Sequence, residues 1–199
     1  MTKVSMDLIQ TLRDKTGLGI MDCKKALIAS DGNIDKAVEE LRKKGAAVAQ
    51  KRAGKATAEG VVHSYIHPGS QLGVLIEINC ETDFVARLDD VSKFAQDMCM
   101  QIAALKPSFL APEDVDPEFL EKEKSILKEQ LAASGKPEKI IDQIITGKLN
   151  KIYSEVCLLK QPYVKDDKKT VEDVIKELIA RTGENIKIKN FSRLEIGSN

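Results

Sequence analysis

Apolar and polar residues alternate most regularly between positions 73 and 85. The apolar members of this alternation are Val74, Ile76, Ile78 and Cys80. Because successive side chains of an extended strand point to opposite faces, the pattern predicts a half-buried strand over residues 72–80. A shorter apolar run at 61–66 precedes it, and the Pro and Gly between the two runs are typical of a turn. The two runs therefore predict a β-hairpin.

The second predicted strand runs into Thr82 and Asp83, and Phe84 follows at once. Thr and Asp favour turns and helix N-caps because their side-chain oxygens bond to nearby backbone N–H groups. An aromatic side chain at such a turn either contacts a partner or packs into the protein's own core. The sequence leaves both alternatives open for Phe84.

The N-terminal segment has the 3.6-residue apolar period of helices, and it predicts three short ones. Ser5 is the expected N-cap of the first, which ends at Gly17. Asp22 is the expected N-cap of the second, and the third should begin after Asn33 and end at Gly45. Such a small bundle buries little apolar surface, so we interpret it as an interaction module.

A glycine-bearing turn joins the first two predicted helices and carries the apolar residues Leu18, Ile20 and Met21. These side chains either fill the inside of the bundle or form an exposed patch for a partner. Residues 45–60 contain small side chains without a sustained apolar stripe, which predicts a linker, partly helical.

The C-terminal part of the chain predicts further helices and one more strand. A helix should begin near Asp90, a helical hairpin should occupy about 117–154 with a break at 135–137, and another helix should follow Thr170. Residues 186–196 alternate again, in a pattern that Phe191 disturbs, and should join the same sheet as the hairpin. The predicted fold class is α+β: a three-helix module at 1–53, then a core at 54–199 with an antiparallel sheet, packed helices and the helical hairpin as an arm.

The charge balance bears on the class of partner. Lys plus Arg and Asp plus Glu are equal at 31 each, so no global field attracts nucleic acid, and we expect none as partner. The basic residues cluster at the end of the third predicted helix and in the linker, where the helix dipole favours cations; they are Lys43, Lys44, Lys51, Arg52 and Lys55. We prefer that explanation to a binding patch.

No stretch approaches the ~20 apolar residues that a membrane span needs, and residues 1–7 lack the apolar core of a signal peptide. We therefore expect a soluble, cytoplasmic protein without a membrane partner.

Catalytic and metal-binding patterns are weak. The four cysteines form no Cys-x-x-Cys pair and are typical of small buried side chains; they are Cys23, Cys80, Cys99 and Cys157. His63 and His67 would share one strand face, with Cys80 or Asp83 as the nearest further metal ligands, but exposed hairpin residues are the simpler interpretation. Gly54-Lys55 lacks the strand and first glycine of a P-loop. The residues favour a binding protein without metal or cofactor over an enzyme.

Two long segments resemble the signatures of one known family. Residues 12–27 read Leu-Arg-Asp-Lys-Thr-Gly-Leu-Gly-Ile-Met-Asp-Cys-Lys-Lys-Ala-Leu, and residues 79–86 read Asn-Cys-Glu-Thr-Asp-Phe-Val-Ala. Both are similar to bacterial elongation factor Ts in its short form. Residues 161–171 and 191–197 are similar to the same family, so the resemblance covers nearly the whole chain.

The resemblance implies a guanine nucleotide exchange factor, not an enzyme, that binds the GDP form of the GTPase elongation factor Tu. In the family, the equivalents of Asp83 and Phe84 press into the GTPase domain, displace the bound magnesium and loosen the diphosphate. The contact residues implied in this chain are Thr82, Asp83, Phe84 and Val85. An aromatic ring at a turn suits an apolar pocket, and a neighbouring carboxylate can compete for charges near a metal.

The resemblance also implies a ubiquitin-associated-like N-terminal module, with Arg13, Ile20 and Met21 contacting the GTPase. Gln101 lies where relatives can have a histidine. The resemblance implies that this residue is a further candidate for contact with the partner, at a second domain of the GTPase. The chain has one sheet and helix unit where longer members have two, so a homodimer would cover the interface left open.

Two other functions compete with exchange. A helical adaptor would act through residues 1–53 alone, with Phe84 silent. A metal hydrolase would use His63 and His67 and would contain zinc.

Overall fold

The three N-terminal helices pack through apolar stripes, and side chains cap the first and the third of them. The computed structural model describes residues 4–132 and 137–197. Helix α1 spans Met6–Thr16, α2 Ile20–Ala29 and α3 Ile34–Arg52. Ser5 caps α1 by accepting the Leu8 N–H, as predicted. The three helices enclose a shared core of Ile9, Leu12, Cys23, Ala26, Leu27, Ala37 and Leu41.

Gly17 ends α1 in the left-handed conformation, with φ at 68°. A Cβ at this position would lie 2.8 Å from Cδ of Arg181, which belongs to a later helix. The left-handed backbone favours glycine here, since the Arg181 side chain is flexible and could move away from a Cβ.

Two predicted helix ends are wrong. The N-cap of α2 is Gly19, not Asp22, which lies in the first turn and forms an ion pair of 2.7 Å with Lys44. Helix α3 does not end at Gly45 but continues to Arg52. The alanines after Gly45 favour helix, and a Cβ at Gly45 would lie 3.1 Å from Cβ of Ala180. Glycine serves close packing here rather than helix termination, so much of the predicted linker is helix.

The predicted hairpin and last strand form one sheet. Strands β1 (Glu59–Ile66), β2 (Leu72–Cys80) and β5 (Ile186–Glu195) lie in the order β1-β2-β5. The alternating apolar residues of β2 are all buried, as predicted. These strands and the many helices confirm the α+β class.

In β5 the buried positions change parity. Ile186 and Ile188 are buried, Lys189 and Asn190 are both exposed, and Leu194 is 74% exposed. The alternation expected over residues 186–196 is therefore wrong in its second half. Lys189 and Asn190 are exposed in succession, so Leu194 lies on the exposed face and not on the face that Ile186 and Ile188 bury.

Helices fill the rest of the chain. Helix α4 (Asp83–Ala86) follows β2, and α5 spans Asp89–Leu105. Helices α6 (Pro117–Ala132) and α7 (Glu138–Val156) pack around a small core of Leu127, Ile145 and Leu149, as the predicted helical hairpin requires. The predicted break includes Gly135 and Lys136, which lie outside the described residues.

A small hairpin of β3 (Pro162–Tyr163) and β4 (Asp166–Thr170) was not predicted, and α8 (Val171–Thr182) follows it. Within residues 4–132 and 137–197, no helix has both the length and the apolar character needed to cross a membrane.

The chain contains two compact units. The first comprises Met1–Val61, Glu77–Phe94 and Asp173–Lys189, and the second comprises Val62–Ile76, Ala95–Glu172 and Asn190–Asn199. The first unit thus contains the N-terminal helices, α4 and nearly all of α8. The boundary at 53/54 inferred from the sequence stays a prediction.

Candidate functional site

The turn after β2 is a short helix that displays Phe84. Thr82 has an extended backbone and caps α4, its Oγ1 accepting the Val85 N–H at 3.4 Å. Val85 is buried, at 8% exposure, whereas the neighbouring Phe84 is 76% exposed. Of the two alternatives left open by the sequence, the structure has the exposed ring. An exposed aromatic side chain next to a buried anchor is suited to insertion into an apolar pocket.

Asp83 lies beside the exposed ring. Its Oδ2 accepts from Nη2 of Arg87 at 2.7 Å, one helical turn further on. The Asp83 side chain is 44% exposed and that of Arg87 is 75% exposed. Exposed pairs of this kind contribute about 0.3–0.5 kcal/mol. The carboxylate is therefore free to exchange Arg87 for another cation or donor.

Thr82 is held by a carboxylate from the loop between α8 and β5. Its backbone N–H donates to Glu184 Oε2 at 3.0 Å, and its hydroxyl donates to Glu184 Oε1 at 2.7 Å. In the opposite direction, the Asn185 N–H donates to Glu81 Oε1 at 2.6 Å. Glu81 and Thr82 of one segment thus exchange hydrogen bonds with Glu184 and Asn185 of the other.

Glu81 and Asn185 make further hydrogen bonds to the chain around the end of α3. Nη1 of Arg52, at the end of α3, donates to Glu81 Oε2 at 3.3 Å. The buried Asn185 side chain donates to the carbonyl oxygens of Ala53 and Lys55, the latter at 2.8 Å. The chain after α3, the end of β2 and the start of β5 are therefore joined by side chains.

The sequence alone did not single out Glu81, Glu184 and Asn185 as site residues. Glu184 binds Thr82, which lies 102 positions away in the chain, and a local sequence pattern does not reveal such a contact. The one local signal is that both carboxylates lie close to predicted strand ends: Glu81 directly follows residues 72–80, and Glu184 lies two positions before residue 186.

The Cys80 thiol lies under the turn and donates to the Thr82 carbonyl at 3.0 Å. Burial raises the pKa of this thiol, and the negative charge of Glu184 raises it further. Cys80 is thus a neutral hydrogen-bond donor at neutral pH, unlike the thiolate of a metal ligand.

The histidines have neighbours of their own. His63 Nε2 lies 2.7 Å from Gln96 Oε1, and His67 Nδ1 lies 2.8 Å from the Tyr65 hydroxyl. Across residues 4–132 and 137–197, no group of three or more His, Cys, Asp or Glu side chains could hold a metal ion.

The candidate residues of the N-terminal module lie on its surface. Ile20 and Met21 begin α2 and are 45% and 62% exposed, and Arg13 is exposed on α1. Leu18, from the same turn, packs against the core of the helices. Both alternatives for the apolar turn thus occur: Leu18 packs inside the helices, and Ile20 and Met21 are exposed.

Gln101 does not share this exposure. Its side chain is completely buried and donates to the carbonyl of Pro162 at 3.0 Å, while its Oε1 accepts the Val164 N–H at 2.9 Å. It also donates to Gln161. In this structure Gln101 organises the β3–β4 hairpin from inside, and Val164 is the exposed residue at that place.

Comparison with known proteins points to one family. Residues 3–198 match the family model described as elongation factor TS. Elongation factor Ts of Desulforamulus reducens is 52% identical over 197 residues, which cover 99% of this chain and 91% of the relative. The proteins of the same name from Thermotoga neapolitana and Thermotoga maritima are 53% and 52% identical, with 98% of this chain covered in both and 98% and 97% of the relatives.

Proposed function

Because the chain belongs to the elongation factor Ts family, we propose that it is a guanine nucleotide exchange factor for the GTPase elongation factor Tu. It binds the GDP form, promotes GDP release and so allows GTP to enter. The chain itself makes and breaks no covalent bond, so it is not an enzyme in the usual sense.

The observation that carries this function is the exposed ring of Phe84 on an anchored turn. In the proposal, the ring enters an apolar pocket of the GTPase, and Asp83 exchanges its exposed partner Arg87 for groups near the magnesium ion. Displacing the metal removes positive charge from the phosphates, which weakens the hold on GDP. Thr82 and Val85 keep the two side chains in place.

The N-terminal module supplies a second contact in this proposal. Ile20 and Met21 form an exposed apolar pair with Arg13 nearby in sequence, and such a surface suits an apolar, partly acidic patch on a protein. The same exposed pair favours the helical adaptor as second candidate. That adaptor would work with residues 1–53 alone and without Phe84.

Exchange by contact must obey thermodynamic linkage. If the protein weakens GDP binding by some factor, GDP weakens binding of the protein by the same factor. Nucleotide binding therefore releases the factor, and the same contact accelerates release and reloading.

We also propose a homodimer. In the second unit, apolar side chains of the sheet strands are exposed: Val62, Ile66, Leu75 and Leu194. A twofold partner could cover them. We expect neither nucleic acid nor a membrane as partner.

The test is release of a fluorescent GDP analogue from elongation factor Tu. Wild type should accelerate release, and Phe84→Ala should lower the maximal rate by at least about tenfold, since burying a Phe ring is worth roughly 1.5–3 kcal/mol. Phe119→Ala is the matched control, because Phe119 is also an exposed phenylalanine, at 46%. No acceleration by folded wild type would contradict the exchange function. Full activity of Phe84→Ala would favour the N-terminal module.

A further inference from the structure

We propose that Glu184 is a positioning residue for nucleotide exchange, which acts through Thr82 on the turn that carries Phe84. This inference rests on the proposed exchange function. Glu184 does not itself need to touch the GTPase. Its carboxylate determines how often the turn has the conformation that a partner can bind.

The first step of the argument is the geometry at Thr82. One carboxylate binds both the backbone N–H and the hydroxyl of the same residue, at 3.0 and 2.7 Å. Hydrogen bonds to an ionised acceptor are stronger than neutral ones, and two at once also restrict rotation. Glu184 therefore fixes the backbone and the side-chain rotamer of Thr82 together.

The second step concerns the role of that hydroxyl in α4. While it donates to Glu184, the same Oγ1 accepts the Val85 N–H at 3.4 Å. The carboxylate thus orients the capping oxygen with its lone pair toward the helix. A four-residue helix does not form stably by itself, because one turn does not repay nucleation. Its shape depends on the Thr82 cap and on the burial of Val85.

The third step concerns where Glu184 comes from. Gly183 has a left-handed φ of 76°, and its N–H bonds to the Ile179 carbonyl at the end of α8. Asn185, which follows Glu184, is held in turn: its N–H donates to Glu81, and its buried side chain donates to the Lys55 carbonyl. The carboxylate is therefore presented from a fixed loop, as a positioning role requires.

The consequence is a separation of binding from the exchange step. Apparent affinity falls in proportion to the fraction of molecules in the competent conformation. Once a partner has bound, the turn is in that conformation whether or not Glu184 helps. Loss of Glu184 should therefore raise the factor concentration for half-maximal exchange and leave the maximal rate unchanged.

The experiment titrates wild type and variants against elongation factor Tu loaded with the fluorescent GDP analogue. We expect Glu184→Ala to raise the half-saturating concentration about tenfold, with a plateau within about twofold of wild type. Phe84→Ala should instead lower the plateau. Glu129→Ala is the matched control, since Glu129 is an exposed carboxylate on α6. It should alter neither quantity.

Amide hydrogen exchange separates positioning from a general loss of stability. In Glu184→Ala, the N–H groups of Thr82 and Val85 should exchange faster, whereas those of Ile76 and Ile78 in β2 should keep the wild-type rate. Glu184→Gln, which keeps one acceptor oxygen, should give the same split to a smaller degree, and it replaces Glu184→Ala if the latter does not fold.

A lowered plateau at unchanged half-saturation, or wild-type values for both quantities, would overturn the positioning role while leaving the exchange function intact. Equal acceleration of hydrogen exchange throughout β2 would also overturn it, because Glu184 would then support the fold as a whole. Failure of the exchange function is recognised separately, by wild type that does not accelerate GDP release.

Discussion

At the scale of single residues, neighbours in the chain have opposite surroundings. Phe84 is exposed beside the buried Val85, and the polar Gln101 is completely buried. Hydrophobicity alone would place Phe84 inside and Gln101 outside. Both exceptions have a physical reason: Val85 anchors the turn in place of the ring, and every hydrogen bond of the Gln101 amide is made within the protein.

Gln101→Leu tests the internal role of the Gln101 amide. The substitution leaves the Val164 N–H and the Pro162 carbonyl without their partner, so we expect a loss of about 2–3 kcal/mol in the free energy of unfolding, measured with urea. Gln130→Leu, on the exposed surface of α6, serves as control. Equal stability of the two variants would contradict an internal role. It would leave Gln101 as a candidate for direct partner contact.

Cys99 makes stability depend on pH at the alkaline end. Burial raises the pKa of its thiol from 9.0 to about 11. Below pH 9 the thiol is neutral in both states, and its contribution to stability is complete. Between the two values the unfolded chain loses the proton while the folded one keeps it, so stability falls as pH rises. Urea midpoints of wild type should therefore drop more steeply over this range than those of Cys99→Ala, and parallel curves would contradict the assignment.

At the scale of elements, helices α6 and α7 have a core of their own. Its buried members are Leu127, Ile145 and Leu149, and the N-terminal helices enclose a separate cluster. A core with so few buried side chains provides little stability, so opening of this helix pair should need less free energy than opening of the sheet.

Leu149→Ala tests the independence of this pair. Truncation of a buried leucine removes about 2–5 kcal/mol, and we expect the effect to be local: faster amide exchange in α6 and α7, with α1–α3 unchanged. Ile140→Ala is the control on the same helix, where Ile140 is 45% exposed. Faster exchange in all helices at once would show a single cooperative unit instead.

At the scale of the whole molecule, one central strand contributes to both compact units. Strand β2 begins in the second unit, where Leu75 is 51% exposed, and ends in the first at the Thr82 turn. Leu75 belongs, with Val62, Ile66 and Leu194, to a set of exposed apolar side chains on the sheet strands of that unit. This is the observation behind the proposed homodimer.

Leu75→Asp should weaken that homodimer. Light scattering at micromolar concentration should give twice the monomer mass for wild type and the monomer mass for the variant, because a charge buried at a twofold interface meets its own copy. Ile28→Asp, at a position 53% exposed on α2, should leave the mass unchanged. A monomer mass for wild type would contradict the dimer.

Predictions from the sequence held where a local pattern was sufficient and failed where a distant segment intervened. The hairpin, the Ser5 cap and the helix pair α6/α7 follow from periodicity and end residues within a few positions. Gly45 has the residue type of a helix end, yet it lies inside α3 because Ala180 of α8 approaches it. The small β3–β4 hairpin has no alternating pattern to reveal it, and Gln101 holds it from a different helix.

The sequence by itself determined the α+β class, the family, and the order of the longer helices and of the three strands of the main sheet. Its information is local, since apolar periodicity records that one face of an element is buried and motifs record which residues stand together. The tertiary structure decided that Phe84 points outward, that Gln101 is enclosed and that Glu184 holds Thr82. These depend on contacts between residues far apart in the chain, for which a single sequence contains no local signal, because the hydrogen bonds form only after the strands and helices have packed.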